Sequence, residues 1–337
     1  MEDYHFPSLS LTSLPMVKKI LLGVLALLLL VIGGGALAVS LRWDRTFVAP
    51  YPDLAATPDP SVIARGRYLA YGPGVCADCH TAPADSTSLR RGEEPLLVGG
   101  REFVTPPGTF RVPNLTPDSG TGIGRRSDGE LARILRYGVR ADGRAALPFM
   151  AVHDMSDSDL IALLSFLRAQ APVSNAVPDH DVNFLGKVAL AFMLKPTGPD
   201  APPPRDSPLS APTVERGAYL VKATADCAGC HTQRNMIDGS FTGPRLAGGN
   251  PFPAEGQPGF VFVPPNLTPD PNTGRMATWT EEQFVTRFRM GAGIPGSPMP
   301  WRAFGRMTDN DLRAIYRYLR SVPAVEHETG PSLRPKD

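Results

Sequence analysis

Four cysteines form two pairs with the same short spacing, and a histidine directly follows each pair. The residues are Cys76, Cys79 and His80, then Cys227, Cys230 and His231. Two disulfides are the ordinary use of four cysteines outside the cytoplasm, but tight C-x-x-C-H motifs indicate a different chemistry. The two thiols form thioethers to the vinyl groups of a haem, and the histidine binds the iron from the same side. The sequence therefore predicts two covalently bound haem c groups, with redox thiols or zinc as the alternatives.

The sequence around the first motif is repeated around the second, with the matching segments in the same order. The matching segments are 65–69 with 216–220, 113–118 with 265–270, and 155–160 with 307–312. Repetition of this kind indicates a duplicated structural unit. We therefore predict two units, 61–170 and 213–322, joined by a Pro-rich linker, 171–212, and followed by a C-terminal tail, 323–337.

Helices are the elements expected to position each motif. In each unit a short helix leads into the cysteine pair, and a final helix ends the unit. A middle helix covers about 128–138 in the first unit and about 280–290 in the second. Ser156 and Thr308 are expected to be the N-caps of the closing helices, because an acidic residue follows each of them three positions later. The 33 glycines and 37 prolines favour short helices joined by long loops, with few regular strands.

Each unit resembles a class I cytochrome c domain, through its C-x-x-C-H motif, the Gly-x-Tyr-Leu helix before it and the closing helix. The pair is similar to di-haem cytochromes c, including the cytochrome subunits of bacterial membrane-bound dehydrogenases. This resemblance implies an all-α fold of two tandem cytochrome c domains. The first and last helices would cross near Gly66 and Phe166, and near Gly217 and Tyr318. It also implies an electron-transfer protein, or the electron-transfer subunit of a larger oxidoreductase, and not a catalytic subunit.

A sixth iron ligand is needed for electron transfer, and each unit offers two methionines for it. Met155 and Met307 stand just before the capping residues, which is the position of a hydrophobic staple. Met150 and Met299 lie in proline-bearing loops, where the resembled family presents this ligand. We predict Met150 and Met299, with Met155 or His153 as alternatives in the first unit.

Other residues of the repeat have expected supporting roles. A backbone carbonyl of the repeated PNLTPD loop could accept a hydrogen bond from the proximal histidine. Asn114 and Asn266 in that loop either reach a haem propionate or form the turn. Trp279 occupies a position where the family often places a tryptophan near the propionates, and Arg126 replaces it in the first unit. The two haem environments are therefore expected to differ.

The N-terminal region contains an uncharged and almost wholly apolar run, 20–41. Lys18 and Lys19 precede it, and Arg42, Trp43 and Arg45 follow it. We predict a cytoplasmic segment, 1–19, and one transmembrane anchor, 20–41, with a signal peptide cleaved after 36–38 as the alternative. Haem attachment outside the cytoplasm then places both units in the periplasm, on a bacterial inner membrane.

The region between the units holds a second apolar segment, 182–194, before its prolines. Such a segment suits a short helix that either packs on a domain or rests on the membrane, and the sequence favours neither.

The expected function is electron relay between periplasmic redox partners and a membrane respiratory or photosynthetic complex. A di-haem peroxidase with one five-coordinate haem is the alternative. A net charge of +1 and the lack of any basic block argue against a nucleic-acid partner. No small-molecule substrate is expected, so the predicted partners are a redox protein or membrane complex, and lipid around the anchor.

Overall fold

The structure is a computed structural model that describes residues 16–150, 152–199, 201–235, 239–254 and 256–336. Most of the predicted cytoplasmic segment 1–19 lies outside the described residues. The first element is α1 (Met16–Ser40), which begins slightly before the predicted anchor and ends close to its end. Among the described residues it is the one helix long and apolar enough to cross a membrane.

Two runs of elements follow α1 and correspond to the two sequence repeats. The first contains α2 (Pro60–Tyr71), α3 (Cys76–His80), α4 (Ser86–Arg90), β1 (Glu102–Thr105), β2 (Gly108–Arg111), α5 (Asp128–Tyr137) and α6 (Asp157–Ala169). Next come β3 (Asp181–Val182) and α7 (Phe184–Phe192). The second contains α8 (Val214–Tyr219), a π-helical turn (Leu220–Thr224), α9 (Cys227–His231), β4 (Phe252–Pro253), β5 (Phe260–Phe262), α10 (Glu281–Arg289), α11 (Trp301–Phe304), α12 (Asp309–Ser321) and β6 (Leu333–Pro335).

The closing helices begin where the sequence predicted, because their caps satisfy free backbone N–H groups. The Ser156 side chain accepts a hydrogen bond from the backbone of Asp159, and Thr308 accepts one from Asp311. The middle helices α5 and α10 begin at full capping boxes, formed by Ser127 with Glu130 and by Thr280 with Gln283.

The first and last helices of each unit cross at a glycine, as the resemblance implied. A Cβ atom on Gly66 would lie 1.9 Å from the carbonyl oxygen of Ala162 and 2.7 Å from Cβ of Phe166. A Cβ on Gly217 would lie 2.0 Å from the carbonyl oxygen of Ala314. Any side chain at these two glycines would force the helices apart.

The expectation of an all-α fold is incomplete, because each unit also carries a three-stranded antiparallel sheet. The strand orders are β1-β2-β3 and β4-β5-β6. The outer strands β3 and β6 come from the predicted linker and tail, so both segments pack onto the units. Strands of two to four residues are too short to show the alternation that predicts a strand.

The two units contact each other through a reciprocal exchange of hydrogen bonds. The Tyr68 hydroxyl donates to Oδ2 of Asp311 at 2.6 Å, and the Tyr219 hydroxyl donates to Oδ2 of Asp159 at 2.7 Å. Each tyrosine belongs to the first helix of one unit, and each aspartate to the closing helix of the other. The units therefore dock in a two-fold-like arrangement.

Both aspartates also bind an arginine of their own unit. Arg65 contacts Asp159 through Nε and Nη2, each at 2.8 Å. Arg216 contacts Asp311 through Nε at 2.8 Å and Nη2 at 3.0 Å, and both of these side chains are buried. Each of these two buried carboxylates is thus paired with an arginine of its own unit and a tyrosine of the other.

Candidate haem-binding site

The two candidate proximal histidines, His80 and His231, end the short helices α3 and α9, where both are buried. Nδ1 of His80 lies 3.0 Å from the carbonyl oxygen of Pro113, and Nδ1 of His231 lies 2.9 Å from that of Pro265. Both prolines open the repeated PNLTPD loop, so the expected histidine–carbonyl hydrogen bond is confirmed. A ring that donates from Nδ1 keeps its Nε2 lone pair for a metal.

Burial sets the protonation of the motif side chains before any haem is attached. It lowers the pKa of His80 to about 4, against the opposing effect of the hydrogen bond to Pro113, and it also lowers the pKa of His231. Both imidazoles are therefore neutral at neutral pH, as an iron ligand must be. Burial raises the pKa of Cys76 and of Cys227 to about 12. The four cysteines are not joined by disulfides.

The repeated loop is held in shape by its asparagine. Oδ1 of Asn114 accepts from the backbone and hydroxyl of Thr116, at 2.9 and 2.8 Å, and Nδ2 donates to the carbonyl of Val173 at 2.8 Å. The second unit repeats these bonds with Asn266, Thr268 and Val325. Of the two roles open to these asparagines, the structure supports turn formation.

The candidate sixth ligands Met150 and Met299 both line the cavity described below and are partly buried. Met155 is 0% exposed and packs in the core with Leu69 and Leu160, as expected for a staple. Its backbone carbonyl also accepts a hydrogen bond from Arg136. Met307 is likewise buried in the core of its unit, and it also forms part of the cavity wall.

His153, the alternative ligand in the first unit, is engaged by the fold. Its Nδ1 lies 3.1 Å from the carbonyl oxygen of Leu135, and its Nε2 lies 2.9 Å from the hydroxyl of Thr197. A ring used at both nitrogens is a poorer candidate for the iron than the sulfur of Met150.

One continuous cavity of about 1550 Å³ runs through both units. It is lined by both cysteine pairs, both proximal histidines and both loop methionines. The residues fit a haem: each half offers two thiols, a neutral imidazole and a thioether among apolar side chains. The cavity wall also includes Arg45, whose buried Nε has no hydrogen-bond partner within the described residues. An anionic propionate is the kind of group that would pair with it.

Comparison with known proteins agrees with these features. Residues 212–319 match the family described as cytochrome c oxidase, cbb3-type, subunit III. The chain is 33% identical over 272 residues to the diheme cytochrome c-type protein of Cereibacter sphaeroides, across 78% of this chain and 86% of that protein. The chain belongs to the di-haem cytochrome c family.

Two further relatives are named as cytochrome c subunits of dehydrogenases. The cytochrome c subunit of alcohol dehydrogenase (quinone) from Gluconacetobacter polyoxogenes is 32% identical over 299 residues, 82% of this chain and 60% of that protein. The gluconate 2-dehydrogenase cytochrome c subunit of Pantoea cypripedii is 30% identical over 291 residues, 79% of this chain and 60% of that protein. The chain thus spans about 60% of the length of these two relatives. Its membership of this family supports haem c as its cofactor.

The cavity walls of the two units differ, as the sequence predicted. In the second unit Trp279 lines the cavity, and its carbonyl accepts a hydrogen bond from the Tyr316 hydroxyl at 2.6 Å. In the first unit Arg126 lines it. Sequence reasoning did not predict that further arginines line the cavity on its first-unit side, because isolated arginines form no motif. They are Arg45, Arg111, Arg140 and Arg144.

Proposed function

We propose that this protein carries one haem c in each unit and passes electrons from one to the other. Cys76, Cys79, His80 and Met150 would hold the first haem, and Cys227, Cys230, His231 and Met299 the second. The observation that carries this proposal is the single cavity, because both sets of ligands open onto it. Haem c supplies the one-electron redox chemistry when bound. The chain orients it, excludes water from it and sets its ligands.

The two units are proposed to be tandem cytochrome c domains, 61–170 and 213–322. Matched helix crossings, matched histidine–carbonyl pairs and matched asparagine turns support this division. The reciprocal tyrosine–aspartate bonds hold the domains in one orientation, so the separation of the two haems would be fixed. A fixed separation favours direct transfer between them.

A single membrane pass by α1, with both haem domains in the periplasm of a bacterial inner membrane, completes the proposal. A helix of 25 residues rises about 37 Å, enough for a hydrocarbon core of about 30 Å. Basic residues at both ends of α1 suit the two headgroup layers. Since two relatives are named as dehydrogenase subunits, we propose that a periplasmic dehydrogenase donates the electrons. A membrane respiratory or photosynthetic complex would receive them.

The test is an absorbance spectrum of the purified holoprotein in its ferric state. Two six-coordinate haems with methionine ligands would be low-spin and would both show the methionine-to-iron charge-transfer band in the far red. A high-spin ferric fraction that binds cyanide rapidly would contradict the relay and favour a peroxidase. Electron donation by a candidate dehydrogenase, followed by stopped-flow reduction of both haems, would then test the partner.

A further inference from the structure

The short helix α7 exposes an apolar side. Phe184, Leu185 and Phe192 are 61%, 57% and 48% exposed, and they lie on one side of the helix at 100° per residue. The opposite side is packed: Gly186 is buried, and a Cβ there would lie 2.2 Å from the carbonyl oxygen of Pro107. A helix on a water-facing surface normally shows the reverse pattern, with polar residues outward.

The exposed side of α7 stands beside the end of the proposed membrane anchor, since α1 and α7 contact each other. The guanidinium of Arg42 lies 5.6 Å from the ring centre of Phe192, and Nζ of Lys187 lies 4.9 Å from that of Trp43. Nη2 of Arg45 donates to the carbonyl of Leu194 at 2.7 Å. The exposed apolar side of α7 therefore lies next to the end of α1, with aromatic and basic residues at the junction.

The chemistry around this surface matches a membrane–water interface. Tryptophan and phenylalanine favour that layer, and Arg42 and Lys187 can pair with lipid phosphates. Lys187 is the one charged residue of α7, and it lies beside the apolar side without interrupting it. Aromatic rings and cations therefore stand together at the level where α1 leaves the bilayer.

We propose that α7 lies in the periplasmic headgroup layer, with Phe184, Leu185 and Phe192 inserted among the lipids. This inference rests on the proposed anchoring by α1. Leu190 and Leu194, on and just after α7, line the cavity on its first-unit side. With α7 in the headgroup layer, the first haem would be held close to the membrane surface. The second haem-binding motif comes later in the chain. The first haem would face the membrane complex.

The experiment uses the full-length holoprotein in liposomes of neutral and anionic phospholipid. Its four cysteines are consumed by haem, so one introduced cysteine can carry one nitroxide label. The sites are Leu185→Cys and Phe192→Cys on α7, with Leu30→Cys on α1 as the bilayer control. Leu209→Cys, at an exposed leucine between the units, is the water control. The readout is the collision rate of each label with oxygen, which concentrates in lipid, relative to a water-soluble nickel chelate.

We expect the oxygen-to-nickel ratio at both α7 sites to rise several-fold above that at Leu209→Cys, towards that at Leu30→Cys. A lipid-like ratio at Leu30→Cys with water-like ratios at both α7 sites would overturn this inference alone, and would point to a protein partner for the surface. Water-like ratios at all sites would overturn the anchor as well. Two independent α7 sites guard against a local disturbance by one label, and an unchanged haem spectrum confirms folding.

Discussion

At the residue scale, the two candidate proximal histidines are positioned by neighbours that the motif does not include. The carbonyls of Pro113 and Pro265 orient the histidine rings, and burial keeps those rings neutral. The C-x-x-C-H spacing was enough to predict the thiols and histidines. The choice between the two predicted roles of Asn114 could not be made from sequence, because its partner Val173 is far away in sequence and meets it only in the folded chain. The choice of Met150 and Met299 stays a prediction.

At the residue scale, Met299→Ala should remove the sixth ligand of the second haem alone. The far-red charge-transfer band should lose the contribution of one haem, and the variant should gain a high-spin, cyanide-binding component. Met307→Leu is the matched control, since a buried staple residue can be replaced by leucine for less than about 1.5 kcal/mol. Loss of the band in Met307→Leu, with the band intact in Met299→Ala, would reassign the ligand.

At the scale of the elements, the helices were predictable and the strands were not. N-caps are local signals, so the starts of α6 and α12 followed from sequence, whereas the helix crossings were implied by the family resemblance. The strands β3 and β6 depend on pairing with segments far along the chain, and their own two or three residues carry no pattern. The predicted linker and tail therefore contain segments that pack onto the units.

Gly217→Ala tests the crossing of α8 and α12. Its Cβ would meet the backbone oxygen of Ala314 at 2.0 Å, so the free energy of unfolding should fall by about 3 kcal/mol, the upper end of the usual cost of overpacking. Gly129→Ala is the control, because the nearest atom to its Cβ lies 3.6 Å away. That variant should be unchanged, or stabilised by up to about 1 kcal/mol. Equal effects in denaturant titrations would show that the crossing is not tightly packed.

Across the whole molecule, duplication could be predicted from sequence, but docking of the units could not. Tyr68 and Tyr219 sit in the repeated Gly-x-Tyr-Leu segment, where nothing distinguishes a packing tyrosine from one that reaches another unit. The exchange with Asp311 and Asp159 appears only when both units are in place.

Tyr68→Phe combined with Tyr219→Phe should weaken that docking. Each change removes one hydrogen bond to a buried carboxylate, at a cost of about 1.5–3 kcal/mol. We expect a single unfolding transition of the wild type to separate into two. Tyr71→Phe is the control, because the Tyr71 hydroxyl donates within its own unit, to the carbonyl of Pro95. A single transition retained in the double variant would contradict the docking role.

The same contact predicts a dependence of stability on pH. Burial alone would raise the pKa of Asp311, but the hydrogen bonds and charge of Arg216, together with Tyr68, lower it overall. A carboxyl whose pKa is lowered by folding stabilises the protein fully above its unfolded pKa of about 3.9. That stabilisation is lost as the pH falls through the lower folded value. Relative to the wild type, Asp311→Asn should unfold more easily at pH 7, and its stability should fall less below about pH 4. Parallel stability curves would contradict this.

The number of covalently bound haems tests the central claim most directly. The mass of the intact, denatured full-length protein should exceed that of the polypeptide by two haem groups. Replacement of Cys227 and Cys230 by serine should leave one, and replacement of Cys76 and Cys79 should leave the other. A wild-type mass equal to the bare polypeptide, or to the polypeptide with one haem, would contradict the account.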